Sequence, residues 1–65
     1  MIGARIKDYL NTNGIKQSFL AEKSGITVAR ISDICNKQTK VGAVEYAKIC
    51  KALGLPLGTF LEGIE

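Results

Sequence analysis

The sequence predicts an all-α fold, a compact five-helix bundle, and three observations lead there. Apolar residues recur at three- and four-residue spacing, glycines fall at the ends of those stretches, and no segment alternates apolar and polar residues as a strand would. The 65 residues suffice for a single domain over 1–65 with a modest core, since a chain of this length buries only about 60% of the surface it exposes when unfolded.

Ile2, Ile6, Tyr9 and Leu10 share one face of a first helix, which Asn11, Thr12, Asn13 and Gly14 bring to a stop. A second helix starts near Gln17, sets Leu20 and Ala21 on one side, and is broken after about two turns by Ser24 and Gly25. Thr27 is of the residue type that caps a helix start. The third helix, over about 28–36, turns Ile31, Ile34 and Cys35 inward and Val28, Ala29, Ser32, Asp33 and Asn36 outward. Residues 36–42 read as a loop. A fourth helix from about Ala43 to Leu53 is expected to bury Tyr46, Ala47, Cys50 and Leu53, with Gly54 as its stop. Pro56 then stands at the start of a short fifth helix, expected to turn Leu57, Phe60 and Leu61 inward.

With 46% hydrophobic and 23% charged residues, the composition is that of an ordinary folded domain, expected to need no cofactor. Every apolar stretch is interrupted well short of the roughly 18 to 20 residues of a membrane span, and no signal peptide is visible. Cys35 and Cys50 lie on apolar stripes without CxxC spacing, and no histidine exists to complete a metal site, so a reduced, cytoplasmic setting is expected. An enzyme is not expected either: there is no His, no pair of carboxylates on one face and no glycine-rich phosphate loop, and burial makes the two thiols poor nucleophiles. No small-molecule ligand is evident. Charge is more informative. The chain carries net +3, but residues 1–40 hold seven basic against three acidic side chains, whereas residues 41–65 hold two against three. A polyanion would therefore meet the part before residue 41.

The second and third helices carry the strongest signal. Two short helices joined by a tight turn present the later one to a DNA major groove if a small residue lets them approach, a glycine frees the turn and an apolar side chain plugs the gap. Ala21, Gly25 and Ile31 fall at those places. The stretch from Lys16 to Thr27 resembles the second helix and turn of the Cro/CI-type helix-turn-helix family, that of phage repressors and many small bacterial regulators. Ala29 to Asn36 is similar to its recognition helix, and Tyr46 to Leu57 to its fourth helix and the approach to a fifth. The resemblance implies a lambda-repressor-like fold, double-stranded DNA as partner, and work as a small transcription regulator, with repression the expected mode.

Three positions depart from the family pattern. Many relatives tie the first helix to the end of the third with a buried Arg–Glu pair, where this chain has Leu10 and Cys35. Replacing both charges leaves no unpaired buried ion, so the fold is expected to survive. The usual glycine after Asn36 is Lys37, so the loop turns without it or holds Lys37 in an uncommon conformation.

By the same resemblance, Gln17 at the start of the second helix is expected at a phosphate, joined by Arg30, Asn36, Lys37, Gln38 and Lys40. Arg30 reaches either a flanking phosphate or a guanine edge, its plain alternative being a surface arginine. Base edges fall to Thr27, Val28, Ala29, Ser32 and Asp33, with Val28 and Ala29 suited to thymine methyls and Asp33 to the cytosine amino group. One such module covers a half-site, so a homodimer is expected, at least on DNA. Leu57, Phe60, Leu61 and Ile64 are the candidate contact, unless they only cap the monomer core. The reading face lacks the Gln, Asn and multiple Arg residues that usually make bidentate base contacts, which leaves an alternative: an antitoxin-like or antirepressor module whose third helix binds a protein. Phe19 leans that way if exposed, although packing against the first helix or the 36–42 loop is expected.

Overall fold

The computed structural model describes residues 2–37 and 39–61. Four helices follow in chain order: α1 (Ile2–Thr12), α2 (Gln17–Ser24), α3 (Val28–Asn36) and α4 (Ala43–Leu53), and no strand occurs among the described residues. None of these helices is long and apolar enough to cross a membrane.

Each helix stops for a local reason. Gly25 adopts φ 75°, and its N–H donates to the Ala21 carbonyl at 2.9 Å, closing α2 in the left-handed conformation that glycine takes without steric cost. Gly54, at φ 70°, does the same for α4. The exit from α3 is different, because Lys37 stays right-handed at φ −103° and ψ 0° while its N–H donates to the Asp33 carbonyl at 2.9 Å. The loop thus turns without the family's glycine and without backbone strain.

α3 lies against α1 and α2, and α4 lies against α2. The core draws Ile6 and Leu10 from α1, Leu20 and Ala21 from α2, Ile31, Ile34 and Cys35 from α3, Tyr46, Ile49 and Cys50 from α4, and Phe60. α1 and α3 approach backbone to backbone at Gly3, where a Cβ would collide with the Ile34 carbonyl oxygen. Leu10 and Cys35 are both buried, so the place of the family's charged pair is filled by apolar packing.

Two expectations are corrected. Ala47 is exposed on α4 and Ile49 takes the inner place, since rotating the helix to bury Tyr46, Ile49 and Cys50 removes far more apolar surface from water than a single Ala methyl would. The fifth helix is absent from the described residues, so the bundle has four helices there. Residues 56–61 form two successive turns, closed by Thr59 N–H to the Pro56 carbonyl and Leu61 N–H to the Gly58 carbonyl, each at 3.1 Å. Gly58 disfavours a helix nucleus so short. The Leu57 carbonyl, which a helix would pair with Leu61 N–H, instead accepts from the Tyr46 hydroxyl, and the Tyr46 hydroxyl oxygen in turn accepts from Phe60 N–H at 3.4 Å. Phe60 alone turns inward, edge-on to Tyr9 and Tyr46, while Leu57 and Leu61 remain 58% and 42% exposed.

Candidate nucleic-acid interface

The geometry of α2, the 25–27 turn and α3 follows from the three residues expected to shape it. Ala21 and Ile31 are buried in the core on which both helices pack, and Gly25 makes the turn. Ser24 reinforces that turn, its hydroxyl accepting from Ile26 N–H at 3.3 Å. Thr27 caps α3, its Oγ1 accepting from Arg30 N–H at 3.2 Å. With Ile31, Ile34 and Cys35 turned into the core, α3 presents Val28, Ala29 and Asn36 exposed, with Ser32 and Asp33 half-buried beside them. Val28 is 51% exposed, a large apolar group held in water at the first turn of the helix.

The polar groups on this face are already partly paired. Asn36 Nδ2 donates to Ser32 Oγ at 3.1 Å, and the Lys37 ammonium lies 3.4 Å from the Asp33 carboxylate one turn away. Both contacts are exposed, so each is readily exchanged for another partner. Gln17 occupies the first position of α2 and is half-buried. The first-turn N–H groups of α2 receive no side-chain cap from Lys16, whereas Arg30 N–H in α3 has its cap in Thr27. Lys40 is exposed beyond the end of α3. Gln38 and Ile64 lie outside the described residues.

Arg30 is placed otherwise than at the reading surface. Its Nε donates to Glu45 Oε2 at 2.7 Å and its Nη2 to Glu45 Oε1 at 2.8 Å, a bidentate pair from α3 to α4. Nη1 reaches Thr39 Oγ1 at 3.1 Å and Nη2 the Lys40 carbonyl at 2.8 Å. Glu45 also accepts from Gly42 N–H at 3.1 Å, which caps α4. Hydrogen bonds from Arg30 and Gly42 hold the Glu45 carboxyl at about 2, and the same carboxylate raises the Arg30 guanidinium above its ordinary value. Sequence reasoning missed Glu45; its only signal is an acidic residue three places after Gly42, at a helix start.

A family model described as helix-turn-helix matches residues 6–60. The chain belongs to the Cro/CI-type helix-turn-helix family. No curated protein and no solved structure matches it. The family is one of DNA-binding transcription regulators, not of enzymes, and double-stranded DNA is its partner. For this member, α2 and α3 are the helix-turn-helix pair.

Phe19 departs from its expected packing. It is 47% exposed on α2, with the Lys23 ammonium over its ring at 5.6 Å. Burial pushes the Cys35 thiol up, with Lys7 nearby opposing the shift.

Proposed function

We propose that the protein binds a specific double-stranded operator with α3 in the major groove and represses transcription there as a homodimer. The observation that carries this reading is the outward face of α3, held at its orientation by Ala21, Gly25 and Ile31 and bearing short side chains that fit a groove. Val28 and Ala29 offer methyl groups to thymine, and Ser32 and Asp33 offer one acceptor each once Asn36 and Lys37 turn away to phosphates. Thr27 accepts from its own helix and keeps its O–H to donate. The uncapped start of α2 suits a phosphate, with the Gln17 amide adding a donor. Exposed Leu57 and Leu61 are the apolar groups on offer for a two-fold contact, whereas Phe60 is committed to the core.

The test is selection from a randomised duplex library, with affinities repeated at two salt concentrations. An enriched, roughly palindromic sequence whose binding is lost in Ser32→Ala or Gln17→Ala supports the reading; absence of enrichment overturns it. Exposed Phe19 favours a second reading, a protein-interaction module on the same fold. Under that reading the library yields no motif, and partner affinity falls on Phe19→Ala.

A further inference from the structure

Of the cationic side chains expected at phosphates, Arg30 is the one spent inside the protein. Four hydrogen bonds bind its guanidinium to three residues, and both Glu45 oxygens are engaged. The planar fork of arginine matches a carboxylate bidentately, which an ammonium does not. α3 packs on α1 and α2 while α4 packs on α2, so direct approach between α3 and α4 is slight and this ion pair is their chief polar tie. Moving Arg30 onto a phosphate would strip four contacts and leave the Glu45 carboxylate unpaired and repelling the DNA. The Lys37–Asp33 pair is the contrast: a single contact at 3.4 Å between exposed groups, which lets go at little cost.

We propose that Arg30 is a positioning residue: gripped by Glu45, it locks Thr39 and Lys40 and the start of α4 beside the reading helix, and so fixes where the Lys40 ammonium meets the DNA backbone. The inference rests on the DNA-binding reading above. The Lys40 carbonyl is held by Arg30 itself and the Gly42 N–H by Glu45, so the segment from 39 to 42 is pinned at both ends by one ion pair. Pre-setting that segment spares the ordering cost that a loose loop would incur on binding.

The sign of one substitution decides the matter. Were Arg30 a direct contact, Glu45→Gln would free it and remove a negative charge, so the selected duplex would bind more tightly and with a steeper salt dependence. Under the positioning role, Glu45→Gln weakens binding about 10-fold, and the salt slope becomes shallower by about one counterion. Arg30→Lys behaves likewise although it keeps the charge, and Arg30→Met with Glu45→Gln is no worse than either alone, as expected of groups acting as a unit. Thermal melts identify any variant that has lost its fold. The Arg30 Nε–H resonance in the folded wild-type protein supplies the independent readout. Slow exchange, unchanged on adding duplex, supports the role; fast exchange, or a shift on DNA binding, overturns it. If the wild type selects no duplex the DNA-binding reading fails, while exchange at Nε–H in the free protein still judges the clamp.

Discussion

On its α1 side, α3 offers Ile34 and Cys35 to Gly3, Ile6 and Leu10, all buried; on its α4 side it offers Arg30 to Glu45, both partly exposed and charged. Burial is non-directional and is not screened by salt as an ion pair is, so the first contact determines where α3 sits in the fold. A bidentate ion pair is directional and weak in net stability, so the second determines how the loop beyond α3 is oriented. Stability and loop placement are therefore assigned to neighbouring residues of one helix, Arg30 lying one turn before Ile34, and each contact can be altered without the other.

The sharpest way to break the comparison is to put charge on the apolar side. Leu10→Arg leaves an unpaired buried cation and costs about 3–5 kcal/mol, against a total of roughly 3–10 kcal/mol for a domain of this size. Urea denaturation should find it largely unfolded, and adding Cys35→Glu should recover most of the loss by restoring the pair common in the family. Next in size is Gly3→Ala, which drives a methyl into the Ile34 carbonyl and should lower the urea midpoint by about 2 kcal/mol in equivalent stability. On the polar side, Glu45→Gln should cost less than about 1 kcal/mol, even though its effect on DNA affinity is larger. Equal losses on both sides in urea would dissolve the distinction.

The smallest effect sharpens the comparison through pH. The Glu45 carboxyl is depressed from 4.5 to about 2 in the folded protein, so its contribution is complete above about 4.5 and is lost as pH falls toward 2. The melting-temperature gap between wild type and Glu45→Gln should hold steady from pH 7 to 5, then narrow and close near pH 2. A gap that does not change with pH would mean that the ion pair adds nothing to the folded state.

Glycine and threonine made α2, α3 and α4 legible in the sequence, because Gly25, Thr27 and Gly54 act on the chain within a turn of themselves and need no knowledge of distant residues. Ile31, Ile34 and Cys35 were legible for a similar reason, their spacing fixing one face of a short helix. Arg30 was not, since its partner is 15 residues away on another element, and no local pattern distinguishes a guanidinium aimed at a carboxylate from one aimed at a phosphate. Ala47 and Ile49 were interchanged because both sit close to the inner arc of α4 and only tertiary packing fixes the rotation. The expected fifth helix failed at Leu57, whose carbonyl is claimed by a hydroxyl from α4 that a pattern within residues 56–61 does not contain. Phe19 was expected to pack, and its exposure depends on the surrounding surface, not on the period of its helix.

Phe60 sits edge-on to Tyr9 at 5.8 Å and to Tyr46 at 6.4 Å, and its carbonyl accepts from Arg5 at 3.4 Å, 55 residues back along the chain. Of the buried core side chains among the described residues, a ribosome delivers that ring last. Until it has cleared the exit tunnel, Tyr9 and Tyr46 lack their shared neighbour and the helices emerge with one wall of the core open, so the domain completes its fold only after nearly all of it has been made.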